Sequence, residues 1–276
     1  MKKERGFTLV ELLVAMAISG IVMAAVYTAF VTQQKSYTVQ DQVAEMQQNA
    51  RVGLDMIARE VRMAGYGQPD WSIPADTNDD GVNENVTDPV TVVDVGGGSY
   101  RITVIGCFEP NPATLSAAAP AGNTTLTLQS TTEASRLNTT TKNNIFIGGF
   151  ENARITNVSG KVLTIDTDPD ISGNQGLVWS YDTGTEVNLV KAVTYYIEDN
   201  TLRRDENTGA GGQPLAENIE DLGITFANNI ANISISARSR ELDTNYHDQV
   251  HGDHYRRRTL NSNMNVRNLL YQIEEE

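Results

Sequence analysis

The sequence contains a single cysteine, Cys107, among its 276 residues. One cysteine cannot form an internal disulfide, so the folded chain must be stabilised by its core or by assembly partners. Cys107 lies in a strand-like apolar run, where a cysteine is expected to behave as a small buried hydrophobe. An intermolecular or reactive thiol is the alternative.

Positive charge is also scarce. The chain has 21 Lys and Arg residues against 35 Asp and Glu residues, which gives a formal net charge of −14. Residues 1–6 hold three basic residues and one acidic residue, so their removal would leave −16. This balance disfavours binding of nucleic acid or anionic lipid by the body of the protein. It fits solubility outside the cell and the binding of cations.

Catalytic signatures are missing as well. The sequence has no G-x-S-x-G, no H-E-x-x-H and no G-x-x-x-x-G-K-[ST] motif. The three histidines follow Cys107 by about 140 residues, without a supporting signature around either. The sequence therefore favours a binding or assembly protein over an enzyme.

A long apolar segment near the N-terminus is the strongest feature that is present. Leu12 to Gln34 contains no residue that is ionisable at neutral pH, and about twenty apolar residues in a helix span a bilayer. Glu11 stands at its start, where an unpaired carboxylate costs about 2–3 kcal/mol. Lys2, Lys3 and Arg5 precede it, which places the N-terminus in the cytoplasm and exports the rest. No small-residue cleavage site interrupts the segment, so we expect it to be retained.

Residues 6–11, GFTLVE, resemble the type III signal of type IV pilins and of type II secretion pseudopilins. The resemblance implies that a prepilin peptidase cuts after Gly6 and methylates the new N-terminal amine of Phe7. Glu11 then becomes the fifth mature residue and pairs with the N-terminal amine of a neighbouring subunit. An intramembrane carboxylate needs such a partner on physical grounds. The alternative is an ordinary signal anchor with a chance glutamate.

Helical periodicity continues beyond the apolar segment. Apolar residues recur in steps of three and four at Val39, Val43, Met46, Ala50, Leu54, Ile57, Val61 and Ala64. Gly65, Gly67 and Pro69 then end the helix. A helix over residues 7–64 would be about 87 Å long at 1.5 Å per residue. The resemblance implies that its first half packs in a filament core and its second half anchors a β-rich head; a coiled coil is the alternative.

Residues 67–89 are polar, acidic and rich in turn formers, and we interpret them as a long loop. Their sequence matches the first half of a D-x-N-x-D-G calcium loop, with oxygen ligands expected from Asp76, Asn78, Asp80, Val82 and Glu84. The twelfth position is Thr87 instead of the usual glutamate. A calcium site and a solvated acidic loop both remain open.

From Val90 onward, short β-prone runs alternate with turns, which predicts an antiparallel sheet. The candidate strands cover residues 90–95, 100–108, 124–129, 144–148, 153–158, 161–166, 186–198, 218–227, 230–238 and 259–268. A hairpin is expected at Ser159–Gly160.

His247, His251 and His254 are spaced by four and three residues, which on a helix would place three imidazoles on one face as metal ligands. Gly252 and its polar neighbours instead favour a loop. The basic residues Arg256–Arg258 follow directly, and they are interpreted as a solvated or partner-facing patch.

Four later segments are similar to the PilW group of minor pilins and, more distantly, to the J-type minor pseudopilins. They are residues 193–204, 215–226, 230–238 and 259–268. With the N-terminus, the resemblance covers residues 1–67 and 186–270. The segment between these two stretches resembles no known family.

The sequence thus predicts an α+β, type IV pilin-like fold: a long N-terminal helix, transmembrane and then amphipathic, followed by an antiparallel β-rich head. The expected divisions are a cleaved leader (1–6), a transmembrane assembly helix (7–34), its amphipathic continuation (35–66), the acidic loop (67–89) and the exported head (90–276).

The resemblance implies a minor pilin that acts in initiation or in the tip complex of a type IV pilus. Its partners would be other minor and major pilins, the prepilin peptidase and the inner-membrane assembly platform, without nucleic acid. The precursor would cross the inner membrane once and reach the pilus or cell surface on assembly. No cofactor is required, and calcium is the one candidate. The alternatives are a minor pseudopilin of a type II secretion system and a calcium-dependent adhesin or binding module carried on a pilus.

Overall fold

The computed structural model describes residues 8–78, 80–96, 99–227 and 230–266. The chain forms two compact units, Met1–Met46 with Ser239–Arg256 and Gln47–Arg238 with Arg257–Glu276. One long helix precedes a series of antiparallel strands. This is the predicted α+β, type IV pilin-like fold.

Helix α1 runs from Leu9 to Met63 and has 55 residues, which is about 80 Å at 1.5 Å per residue. No proline interrupts it. It ends where the sequence predicts, because Gly65 and Gly67 adopt positive φ angles of 78° and 72°. The amide of Gly65 then donates to the carbonyl of Ile105 at 2.9 Å, which ties the helix end to a strand.

The strands follow in chain order. They are β1 (Ile73–Ala75), β2 (Glu84–Val86), β3 (Val90–Gly96), β4 (Ser99–Gly106), β5 (Ala113–Thr114), β6 (Thr125–Thr127), β7 (Asn144–Ile147), β8 (Glu151–Ser159), β9 (Val162–Asp166), β10 (Glu186–Glu198), β11 (Thr201–Asp205), β12 (Gln213–Glu217), β13 (Ile219–Ala227), β14 (Ile230–Arg238) and β15 (Arg257–Asn265). A second, four-residue helix, α2 (Thr131–Ala134), lies between β6 and β7.

The longest strand, β10, organises the larger sheet. Its first half pairs with β5 and β7, and its second half pairs with β4 and β11. Asp199 and Asn200 join β10 to β11 with φ angles of 50° and 56°, which is the geometry of a tight I′ hairpin turn. The predicted hairpin of β8 and β9 also forms, with Gly160 and Lys161 as its two turn residues. Strands β13, β14 and β15 form a separate three-stranded sheet.

Helix α1 packs into the second unit through its C-terminal part. Ala50, Ile57 and Val61 are fully buried, as the apolar periodicity predicts. Gly53 allows the closest approach, since a Cβ atom there would lie 2.6 Å from Leu202 Cδ2. This face of the helix is therefore part of the head's core.

A second core lies between β5 and β10 in sequence, within the stretch that resembles no known family. Ile145, Leu163 and Ile165 are fully buried there. Ser130 and Glu133 form a capping box at α2, which satisfies backbone groups at its start. The stretch from residue 113 to residue 189 thus has a core cluster of its own, although its strands β6 to β9 belong to the same sheet as β10, β11 and β12.

The interpretation of residues 67–89 as one long loop was wrong in part. Strands β1 and β2 pair inside it, with Ile73 opposite Val86. The strands β5 and β12 and helix α2 were not predicted either. Each of these elements has two to five residues, so its conformation depends on a distant partner more than on local sequence.

Candidate functional site

Helix α1 begins with a capping box formed by Thr8 and Glu11. The Thr8 hydroxyl accepts from the Glu11 amide at 3.2 Å, and Glu11 Oε2 accepts from both the amide and the hydroxyl of Thr8 at 2.9 Å. Thr8 lies within the GFTLVE motif, but its role in the cap was not predicted, although T-x-x-E before an apolar run is the signature of this cap. Among the described residues, Glu11 Oε1 has no hydrogen-bond partner. Within that part of the chain, one carboxylate oxygen is thus left to accept a further donor.

The helix after Glu11 presents mostly apolar side chains, and they are exposed. Leu12, Ile21, Met23 and Phe30 are each more than half exposed. The helix is long and apolar enough to cross a membrane, and none of its most apolar window is buried. Folded proteins in water rarely expose so much contiguous apolar surface. This surface needs lipid or other helices around it.

Gly6 and Phe7, the predicted processing residues, lie outside the described residues. Cleavage and methylation there stay predictions.

Farther along α1, a second glutamate is buried in the head. Glu60 is 1% exposed. Tyr195 donates its hydroxyl proton to Glu60 Oε2 at 2.5 Å, and Arg204 donates to Oε1 through Nη2 at 2.8 Å and Nε at 3.2 Å. Sequence reasoning missed this residue, yet a signal existed: Glu60 lies three residues after Ile57 and four before Ala64, on the apolar face. The contacts fix the helix to β10 and β11.

The ion pairs continue away from the helix. Glu206 accepts from Arg204 at 2.8 Å and from Lys191 at 2.7 Å, and Lys191 also pairs with Glu109 at 2.8 Å. Burial favours the neutral form of Glu206, but the hydrogen bonds from Arg204 and Lys191 outweigh it and lower its pKa to about 2. Burial and the neighbouring Glu60 carboxylate raise the pKa of Tyr195. The network therefore favours the ionised form of Glu206 and the protonated form of Tyr195.

Several residues of the acidic loop (67–89) form hydrogen bonds with one another. Asp80 accepts from the amide of Val82 at 2.8 Å and from the side chain of Asn78 at 3.2 Å. Glu84 Oε2 accepts from the amide and the hydroxyl of Thr77, both at 2.7 Å, and these bonds lower the pKa of Glu84. One oxygen of Glu84 is thus already engaged by the protein.

The remaining calcium candidate, Asp76, donates its backbone amide to Asn207 at 3.1 Å. No group of three or more His, Cys, Asp or Glu side chains that could hold a metal occurs in the described part of the chain. Calcium binding by Asn78, Asp80 and Val82 with Asp76 and Glu84 stays a prediction, which calorimetric titration of the full chain with calcium chloride would test.

The three histidines lie in a loop, as the sequence predicts from Gly252 and its polar neighbours. Gly252 has a φ of 70°, which favours glycine. The rings of His247 and His254 lie close together, with centroids 5.3 Å apart and an angle of 54° between the ring planes. His251 instead contacts Asp248, with 3.2 Å between Nδ1 and Oδ2. The structure thus brings together two of the three imidazoles, and metal binding by all three stays a prediction.

The basic run pairs largely with nearby acids. Arg256 binds Asp243 at 2.7 Å and lowers the pKa of that carboxyl group. Arg257 contacts Glu220, with 2.9 Å between Nη2 and Oε1. Arg258 is exposed. Two of the three arginines, Arg256 and Arg257, therefore form ion pairs within the protein.

Cys107 is 3% exposed, and burial raises the pKa of its thiol to about 12. A thiol in this state is a packing residue with little nucleophilic character. The prediction of a buried hydrophobe is confirmed.

A family model described as the prokaryotic N-terminal methylation motif matches residues 1–27. No curated protein and no solved structure matches the chain. The matched residues include the predicted cleavage junction, the Thr8–Glu11 cap and most of the exposed apolar helix. The match supports a type IV pilin-like prepilin signal, a membrane-anchored precursor and a structural role in preference to an enzymatic one.

Proposed function

We propose that this chain is a minor pilin of the PilW kind, which acts in initiation or at the tip of a type IV pilus. The observation that carries the proposal is Glu11, an acidic residue at the fifth position after the expected cut, which lies inside a methylation motif and directly before the uncharged apolar segment 12–34.

Assembly would use the two oxygens of Glu11 separately. Oε2 is occupied by Thr8, which would be the second mature residue. Oε1 can accept from the methylated N-terminal amine of a neighbouring subunit, since a carboxylate has about four acceptor sites. Pairing removes the cost of about 2–3 kcal/mol for a lone charge in lipid. The same contact sets the stagger between adjacent helices.

The C-terminal part of α1 would then carry the head. Its buried face and the contacts of Glu60 to Tyr195 and Arg204 support firm packing of the last part of the helix, from Gln47 onward, in the head. In this proposal the precursor waits in the inner membrane with its N-terminus in the cytoplasm. The prepilin peptidase, the assembly platform and other pilins are its partners.

The proposal is tested by replacing Glu11 with alanine in cells that carry the rest of the system. We expect the amount of this chain in sheared filaments to fall at least tenfold, because the lone amine of a neighbour loses its partner. Immunoblots of the filament and membrane fractions measure this ratio. The matched control is Glu45→Ala on the same helix, outside the apolar segment, which should assemble normally. Normal assembly of the Glu11 variant would contradict the proposed pairing.

A pseudopilin of a type II secretion system shares all of these N-terminal features. Deletion of the gene separates the two: loss of surface pili with normal protein secretion supports the pilus, and the reverse result supports the secretion system.

A further inference from the structure

Four large apolar side chains are exposed between residues 113 and 189, and three of them lie beside one buried glutamate; the fourth is Ile171. Phe150 is 81% exposed, Val178 is 67% exposed and Trp179 is 62% exposed. Two aromatic side chains this exposed, on backbone segments that share hydrogen bonds with Glu151, are unusual outside α1, and exposed apolar surface of this kind marks interaction sites. We call these three residues the aromatic patch.

The aromatic patch comes from two loops, one with Phe150 and one with Val178 and Trp179, and the side chain of one buried glutamate connects them. Glu151, which follows Phe150, is 7% exposed. Its Oε1 accepts from the amide of Val178 at 2.6 Å, and its Oε2 accepts from the amide of Trp179 at 3.3 Å and from the hydroxyl of Tyr181 at 3.0 Å. The buried charge thus fixes the backbone that carries the exposed side chains.

The turn that carries Phe150 is fixed in the same way. Gly148 and Gly149 have φ angles of 58° and 80°, and the Gly148 amide donates to the carbonyl of Glu186 at 2.9 Å. A Cβ atom at Gly148 would lie 2.9 Å from the ring of Tyr181. The backbone of the aromatic patch is therefore held in place before any partner binds, which lowers the entropy cost of binding.

The surroundings of the aromatic patch are acidic. Residues 162–190 contain five acidic residues and no Lys, Arg or His. Asp182 and Glu186 are exposed, and the carbonyl of Glu186 accepts from the Gly148 amide in the turn that carries Phe150. The hairpin of β8 and β9 has two basic residues. The guanidinium carbon of Arg154 lies 5.6 Å from the ring centroid of Trp71, and Lys161 lies in the turn, at the end of the hairpin away from Phe150. An apolar centre with an acidic rim disfavours an anionic lipid surface and fits an apolar pocket with a basic rim.

We propose that the aromatic patch docks the head of a different pilin, not a second copy of this chain, whose facing surface has an apolar pocket rimmed by Lys or Arg. Phe150 and Trp179 enter the pocket, and Asp182 and Glu186 pair with the rim. The identity of the partner as a pilin rests on the proposed function. The patch as a protein interface rests on its own geometry.

Site-specific photocrosslinking in cells tests the proposal on the full chain. A benzoylphenylalanine replaces Phe150, and the control carries it at Phe226, an exposed aromatic residue on β13. We expect a crosslink to a pilin from position 150 only. In mass spectra, the crosslinked peptide should contain apolar residues next to Lys or Arg.

Two variants confirm that the aromatic patch makes this contact. Trp179→Ala in the same chain should lower the crosslink yield about tenfold, as removal of an interface tryptophan does. Asp182→Asn with Glu186→Gln should lower it less, and added salt should weaken the wild-type crosslink. Asp221→Asn on β13 is the matched control. Because all of these side chains are exposed, the thermal unfolding of the variants should not change.

A crosslink to a second copy of this chain, to a glycan or lipid, or to a protein that is not a pilin overturns the proposal. So does a crosslink that Trp179→Ala leaves intact, or none at all. The mature N-terminus and the filament content of the same cells are measured in parallel. If both are normal while the crosslink fails, the docking surface is wrong and the proposed function stands.

Discussion

Two glutamates on one helix show how the surroundings of a residue decide its role. Glu11 lies in an exposed apolar segment, where one of its oxygens is used by Thr8. Glu60 is buried in the head, where Tyr195 and Arg204 occupy both of its oxygens. The first glutamate can therefore accept a partner from outside the chain, whereas the second serves only the internal structure.

Glu60→Ala should lower the free energy of unfolding of the head by about 3 kcal/mol, because it leaves the buried hydroxyl of Tyr195 and part of Arg204 without an acceptor. Urea unfolding followed by tryptophan fluorescence measures this, since Trp71 and Trp179 both belong to the second unit. Asp55→Ala, on the exposed face of the same helix, is the control and should change stability by less than about 0.5 kcal/mol. Equal stabilities of the two variants would contradict the role of Glu60.

Glu206 predicts a pH dependence of the same unfolding reaction. Its pKa is about 2 in the folded protein and 4.5 in an unperturbed chain. Between these values the unfolded chain binds the proton more readily, so the folded state loses stability as the pH falls from about 4.5 to 2. In Glu206→Gln this contribution is absent, and the fall in the urea midpoint across that window should be smaller. Glu217 is exposed, so Glu217→Gln is the control and should show the wild-type change of urea midpoint with pH. If Glu206→Gln also shows the wild-type change, the ion pairs of Glu206 with Lys191 and Arg204 do not stabilise the folded state.

At the scale of elements, the end of α1 is the critical junction. Gly67 has a φ of 72°, and a Cβ atom there would lie 2.7 Å from Cys107 Sγ and 2.8 Å from the ring of Phe146. The glycine is thus required both by the backbone and by the space around it.

Gly67→Ala should therefore destabilise the head by about 3 kcal/mol, through the strain of positive φ and the steric overlap together. Gly184→Ala isolates the first contribution, because Gly184 has a φ of 87° but no atom within 4 Å of its Cβ position. It should cost only about 1–2 kcal/mol. Urea midpoints of the two variants give the comparison, and a milder effect at Gly67 than at Gly184 would argue against close packing at the helix end.

The elements that were predicted from sequence are those with strong local signals. The apolar periodicity predicted α1, and the glycines predicted where it ends. The β-prone runs predicted the strands Glu186–Glu198 and Ile230–Arg238 with the bounds that the structure has. The short strands β1, β2, β5 and β12 carry no such signal. The partners of Glu60 lie 135 and 144 residues away, so no local pattern could indicate them.

At the scale of the whole molecule, the functional requirements are separated along the chain. The N-terminal residues provide a signal, a membrane-spanning surface and one available carboxylate. The head provides a packed β-rich body with an exposed aromatic patch. The sequence predicted the first part through a motif of local residues, but the patch arises from two loops that only the fold brings together.

The central claim is that the chain is processed as a prepilin, and the tryptic N-terminal peptide of the protein from its native cells tests this most directly. Residues 6–34 contain no Lys or Arg, so a processed chain gives a peptide from N-methylated Phe7 to Lys35. An uncut chain gives a peptide that begins at Gly6 without the methyl group. Mass spectrometry distinguishes them: the account predicts methylated Phe7, and a first residue at Gly6 or beyond residue 30 would contradict it.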